Sequence, residues 1–363
     1  MSEGIDINQF RAEQNEQVQE LERQLKEKDQ ILEQYKASKG KLDVFFKQVL
    51  NSISPIEPFP SLFEKFYKEH KSKSEVVAVK QTSDVHMGAT QDAYEVEGFN
   101  SFNPEICRNR SLGFSQSHIN YVNAMRNAYN IKQLHWLFTG DNISGDIHDE
   151  LKITNAFPSP VQVYEVAKLF AKQIALTAPN YETVVIDFIT EDNHARLTKK
   201  PQASEAGMNS MNYLVGVLTK EMVRNIPNVT FNIHALHEKV IQISNIKYLV
   251  KHGHGTKSWM GIPWYGIERA VGRESTSRMQ LILRDLERSK EIGFNKIIHG
   301  HYHVNFDTPM YACSPSVQGT TAYDHQAGRY AEPGQVGWLV HPKHGEFART
   351  VFNLNIFDNE KFD

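Results

Sequence analysis

Five short polar clusters, each closing an apolar run, hold the residues of this chain whose types and spacing suit chemistry. They are Ser83-Asp84-Val85-His86, Thr139-Gly140-Asp141-Asn142, Glu191-Asp192-Asn193-His194, Lys251-His252-Gly253-His254 and His299-Gly300-His301-Tyr302-His303. Carboxylate oxygens and imidazole nitrogens suit divalent Mn, Fe, Ni or Zn, and a carboxylate can bridge two ions. An Asn carbonyl adds a neutral ligand that limits the negative charge. Two cations a few ångströms apart clamp an in-line displacement at phosphorus. Asp84 and His86 alternate, so they point the same way if the first strand stays extended through them.

The composition narrows the setting. A length of 363 residues favours one large catalytic domain plus an appendage. The balance of 40 Lys and Arg against 43 Asp and Glu, a net charge of -3, excludes a generally basic nucleic-acid binder but leaves room for a local basic groove. Cys107 and Cys313 provide neither a disulfide framework nor a thiolate zinc site, so any metal is held by His, Asp and Asn. No apolar run is long enough to span a membrane. The start, MSEGIDINQF, lacks the basic-then-apolar order of a secretory signal, so the cytoplasm is the expected location.

The elements that position the clusters follow from the hydrophobic pattern. Residues 1–40 contain Val18, Leu21, Leu25, Leu32 and Tyr35 on a and d positions of one heptad frame, with Lys28 as a polar exception. That pattern predicts a coiled-coil helix, and with it a homo-oligomer. Residues 41–73 read as a helical linker containing the Pro-punctuated stretch Ser54 to Pro60. From residue 74 to 363, strands alternate with amphipathic helices. Strands are expected at Val76–Lys80, Leu134–Phe138, Thr183–Thr190, Ile246–Lys251 and Lys296–His299, with two more within Val229–Ile243. Helices are expected at Ile119–Tyr129, Val161–Leu176, Met211–Met222 and Met279–Ile292. Such alternation implies an α/β domain with helices covering the sheets.

In their order, D-x-H, G-D, N-H, H and G-H-x-H, these clusters resemble the signature of the calcineurin-like metallophosphoesterase superfamily, from about Glu75 to the last strand. The resemblance implies a four-layer α/β/β/α sandwich holding two divalent ions, with Mn favoured over Fe, Zn or Ni. It also implies ligand roles. Asp84, His86 and His303 would bind the first metal, and Asp141 would bridge both. Asn193, His252 and His301 would bind the second, and His194 would act as the acid that protonates the leaving oxygen. His252 is preferred to His254 as ligand, with His254 facing substrate, and Arg196 is a further substrate contact. His299 reads as a packed or surface residue. The chain departs from the pattern in the third cluster, where Asp192 replaces a Gly and Ala195 an acid that orients the catalytic His. Another residue, or Asp192 from the other side, would have to hold His194.

Two inserts bear on substrate. Residues Thr90–Phe114 contain Arg108 and Arg110, and Gly255–Arg278 holds Trp259, Trp264, Tyr265, Arg269, Arg273 and Arg278. Aromatics interleaved with arginines suit a nucleic-acid strand. The expected function is therefore phosphodiester hydrolysis by a nuclease acting on DNA, resembling the DNA-repair exonuclease branch. The alternatives are a phosphomonoesterase or small or cyclic nucleotide phosphodiesterase, and an inactive scaffold that binds partners through its fold and coiled coil.

Overall fold

A computed structural model describes residues 23, 26, 33, 44, 47–66, 73–204, 206–256, 263–285, 287, 289–360 and 362. The chain divides into two compact units, Met1–Ser54 and Pro55–Asp363. The heptad positions Val18, Leu21, Leu25, Leu32 and Tyr35 lie outside the described residues, as does Trp259.

The larger unit is a mixed α/β fold with two sheets. In the first, β1 (Glu75–Thr82), β2 (Asn130–Phe138), β3 (Thr183–Ile189) and β4 (Val229–His234) run parallel. Beyond β1, β10 (Gly334–His341) and β11 (Gly345–Asn353) continue the sheet antiparallel, in the order β11-β10-β1-β2-β3-β4. The second sheet has the order β5-β6-β7-β9-β8, from Glu238–Ile243, Ile246–Lys251, Lys296–His299, Tyr311–Cys313 and Phe306–Asp307 respectively. Its three central strands β6, β7 and β9 are parallel.

Strand alternation assigns each face. Val79, Leu137, Trp338, Tyr248, Val250 and Ile298 share one buried cluster drawn from both sheets. The neighbouring Leu249 and Ile297 point the other way, into a second core with Ile267. That isoleucine belongs to helix α4 (Pro263–Arg284). On the far side of the first sheet, Trp136 stacks on Phe138, and Phe138 and Phe188 meet Phe170, whose ring lies 4.8 Å from that of Phe138. Phe170 sits on α2 (Ser159–Thr177), which also buries Val163, Val166 and Ile174 at helical spacing.

Two helices differ from the sequence expectation. The first, α1, spans Pro104–Met125, starting fifteen positions before Ile119. Asn103 caps it by accepting from the N–H groups of Glu105 and Ile106, and Pro104 supplies the preset φ of a first turn. Its early turns bury Asn109, Arg110, Ser111 and Ser115 alongside Cys107, Leu112 and Phe114, so polar residues interrupt the apolar spacing of the inward face. Thr90–Phe114 is accordingly a loop leading into a helix. Arg110 is buried at 1% exposure, donating to Asp358 at 2.6 and 2.9 Å and to the carbonyls of Val317 and Gln318. It is structural and out of reach of substrate, while Arg108 pairs with Glu165 at 3.4 Å. Helix α3 is Met211–Met222, as its periodicity predicts. The fourth, α4, begins at Pro263 and ends at Arg284, and only a short turn, Ser289–Ile292, follows in place of a helix reaching back to Met279.

Candidate metal centre

The C-terminal ends of β1, β2, β3, β6 and β7 deliver the five polar clusters to one crevice. The strands stop before their chemistry begins. Thr82 ends β1, and Asp84 and His86 follow at φ of 51° and 49°. The two side chains therefore turn inward through left-handed backbone, so the condition of an extended strand does not hold at them. Asp141 (48°), His301 (72°) and His303 (59°) share that conformation. Such φ values cost on the order of 1–3 kcal/mol per residue and concentrate at functional sites. Here the cost is offset by close packing. A Cβ at Gly300 would lie 1.9 Å from Ser83 Oγ, so only glycine lets the β7 end reach the Asp84 carboxylate. The His301 N–H donates to both Asp84 oxygens at 3.0 and 3.1 Å.

Three overlapping sets result: Asp84, His86 and His303; His86, Asp141 and His194; and Asp141, His252 and His301. Within each, one ligand atom per residue lies within 4.8 Å of the others. Asp141 is 1% exposed and belongs to two sets. Its Oδ2 is 3.0 Å from His252 Nε2 and 3.9 Å from both His86 Nε2 and His194 Nε2. Asn193 Oδ1 lies 2.9 Å from the same His252 nitrogen. His252 is fixed from behind by the Thr139 carbonyl, 2.9 Å from Nδ1. Opposite, the Nε2 atoms of His86 and His303 face each other at 3.1 Å, a contact that needs a proton or a cation between them. Buried carboxylates, facing imidazole nitrogens and a neutral amide oxygen form a donor set that fits divalent ions.

The electrostatics agree with that fit. Burial, then the imidazoles of His194 and His303, hold His86 well below its ordinary value, so its ring is neutral. Burial and His252 do the same to His301. Burial opposes ionisation of Asp141, but His252, His194 and His86 hold its carboxyl well below the usual range. Burial and the Asp141 charge push Asp192 upward.

Asp192 does not hold the His194 ring. It accepts from the N–H groups of Asp141 (2.7 Å) and Ala195 (2.8 Å) and from the Asn212 amide, fixing the loop backbone. The ring is held by the Ser144 carbonyl, 2.7 Å from Nδ1. His254 stands beside the sets, its Nε2 3.2 Å from Glu191. Arg196 donates to the carbonyls of Thr198 and Lys199 in its own loop, at 3.1 and 3.2 Å. His299 is buried, packed on Tyr311 with its ring 4.3 Å away.

Sequence reasoning missed Ser144, whose contribution is a backbone atom and leaves no residue-type signal. It missed Asp324, 3.7 Å from His303 Nδ1, although the Thr321-x-x-Asp324 capping box of α5 (Ala322–Gln326) marks a fixed carboxylate. It also missed His237, 2.9 Å from Glu191.

No family model matches the chain, and a search of curated protein sequences gives no match. Among solved structures, similarity is found to a single mutant of Vps29 from Entamoeba histolytica, with 10% identity, 76% of this chain and 99% of that one covered, and a TM-score of 0.29. Vacuolar protein sorting 29 from Cryptosporidium parvum gives 11% identity, 77% and 99% coverage and a TM-score of 0.30. A conserved uncharacterized protein of Streptococcus pneumoniae, a predicted phosphoesterase, gives 10% identity, 52% and 90% coverage and a TM-score of 0.25. The chain resembles the calcineurin-like metallophosphoesterase superfamily in the order of its five motifs and in the convergence of their side chains on Asp141.

Proposed function

We propose that the chain is a binuclear metal-dependent phosphoesterase. The observation that carries this reading is Asp141, one buried carboxylate within 3.9 Å of ring nitrogens of His86, His194 and His252. Asp84, His86 and His303 would hold one ion, Asn193, His252 and His301 the other, and Asp141 both, with Mn favoured. Ions held there supply charge neutralisation and Lewis acidity for displacement at phosphorus. His194 Nε2 faces the same space and gives its proton to the leaving oxygen, while Nδ1–H stays on the Ser144 carbonyl. The four-layer α/β/β/α arrangement belongs to the same reading, supported by apolar cores on both sides of the second sheet. Among the described residues no helix is long and apolar enough to cross a membrane; a cytoplasmic setting and a coiled-coil oligomer remain part of the proposal.

For substrate we propose a phosphodiester of nucleic acid. The support comes from α4, where Tyr265, Arg269 and Arg273 are exposed at four-residue spacing and so share one face. Arg273 lines a cavity of about 230 Å3 with Lys251, Gly253 and Thr256, next to His252. The test is metal-dependent turnover of bis-p-nitrophenyl phosphate and of DNA, with Asp141→Ala as control. Arg269→Ala/Arg273→Ala should weaken DNA cleavage and flatten its salt dependence, because each lost phosphate contact releases fewer counterions. Turnover of the small ester should be unchanged. Cyclic-nucleotide or monoester turnover without DNA cleavage would replace the nuclease reading. No turnover of any ester, with metal bound, would favour the inactive scaffold.

A further inference from the structure

Glu191, His237 and His254 form a fourth group whose ligand atoms lie within 4.8 Å of one another. They come from three places in the chain. Glu191 follows β3, His237 lies in the link between β4 and β5, and His254 follows β6. Each oxygen of the Glu191 carboxylate takes one imidazole: Oε2 faces His237 Nδ1 at 2.9 Å and Oε1 faces His254 Nε2 at 3.2 Å. The rings stand 5.8 Å apart and nearly perpendicular, at 83°, so both nitrogens aim at the same carboxylate without stacking. Beside them a cavity of about 20 Å3 is lined by Glu191, Asp192, Arg196 and His254. That volume accommodates about one water.

We propose that these three residues form a further divalent-metal site, distinct from the pair around Asp141. Two imidazoles and one carboxylate suit a first-row ion such as Zn2+ or Co2+, and three protein ligands leave a position open for water or a substrate oxygen. The geometry gives the site a role for a polyanion. The His254 ring lies 5.6 Å from that of His252 and 6.2 Å from that of His301, so a cation here borders the binuclear pair. It would neutralise a phosphate next to the one being cleaved. His237 is exposed, so the site is reachable from solvent without opening the core.

The experiment is metal content by elemental analysis after Zn2+ loading and desalting, with Co2+ titration followed by its visible absorption. Wild type, His237→Ala, Glu191→Gln and Asp141→Ala are compared, all checked for folding by circular dichroism. His237→Ala and Glu191→Gln should each bind one equivalent less than wild type, and lose one component of the Co2+ spectrum. Asp141→Ala should keep that component while losing metal from the pair. If His237→Ala and Glu191→Gln both hold as much metal as wild type, Glu191 only accepts hydrogen bonds from the two imidazoles and the site is overturned. Asp141→Ala reports separately on the pair, so the two assignments fail independently.

Discussion

His194 Nδ1 lies 2.7 Å from the backbone carbonyl oxygen of Ser144, and its Nε2 faces Asp141 Oδ2 at 3.9 Å. The carbonyl can only accept, so Nδ1 carries a hydrogen and the ring is fixed with Nε2 toward Asp141. A backbone oxygen thereby does what a side-chain acid at position 195 would do. Ala195, 1% exposed, has no polar atom to offer.

His194→Ala is therefore expected to keep its metal and lose most of kcat, on the order of 10²–10⁴-fold for esters with poor leaving groups. For p-nitrophenol, which departs without protonation, the loss should be smaller. Steady-state kinetics on a leaving-group series, beside metal analysis, checks this. An equal loss across the series would remove the acid role.

The Ser144 contact depends on the next residue. Gly145 has φ of 68°, and a Cβ there would lie 2.1 Å from the His194 carbonyl oxygen. Gly145→Ala must push the two loops apart and tilt the ring, which is not itself one of the proposed ligands of the pair. A fall in kcat of roughly tenfold or more, at unchanged metal content, is expected. Retained kcat would show that the ring keeps its aim without the carbonyl.

How far the sequence carries depends on where each residue's partners lie. The five clusters were legible because each ends a run of buried apolar residues and mixes donor types of one chemistry. Strands β6 and β7 and helix α3 begin and end where the apolar pattern does. The start of α1 was hidden because buried Asn109, Arg110, Ser111 and Ser115 break the apolar spacing of Cys107, Leu112 and Phe114. Arg110 is satisfied by Asp358, 248 positions away, and Lys80 by Ser115 and the Trp136 ring 3.5 Å away. Local text gives no sign of such pairing. The left-handed turns at Asp84 and His86 were equally invisible, since Asp-x-His alternation reads as strand until the strand is seen to stop at Thr82.

Asp324 supplies a prediction about affinity. Its Oδ2 lies 3.7 Å from His303 Nδ1 and accepts from the Thr321 hydroxyl at 2.8 Å, while Arg329 pairs with Oδ1 at 3.1 Å. A carboxylate behind an imidazole orients the ring and raises its basicity as a ligand. Asp324→Asn keeps the cap and removes the charge. Metal affinity, measured by chelator competition, should fall about 10–100-fold with the melting temperature of the metal-free chain little changed. Unchanged affinity would leave Asp324 as a helix cap alone.

The last prediction concerns acid stability, and it turns on a histidine outside the crevice. His118 on α1 is fully buried behind β1, with the Val79 carbonyl 3.3 Å from Nε2 and the Tyr181 hydroxyl 3.5 Å from Nδ1. Burial, with the charges of Lys80 and Arg126 adding to it, pushes its pKa down to about 3. The unfolded chain protonates this ring near pH 6.5. Between those two values unfolding takes up a proton, so acidification favours the unfolded state. Above the upper value His118 is neutral in both states and contributes no pH dependence; below the lower it is charged in both. His118→Gln removes the titration while keeping an amide near the Val79 carbonyl. Urea unfolding of the two chains from pH 8 to pH 4 should then diverge below about 6.5, wild type losing stability faster by at most about 1.4 kcal/mol per pH unit. Parallel curves would mean that the ring is charged within the fold, or that α1 opens before the rest of the domain.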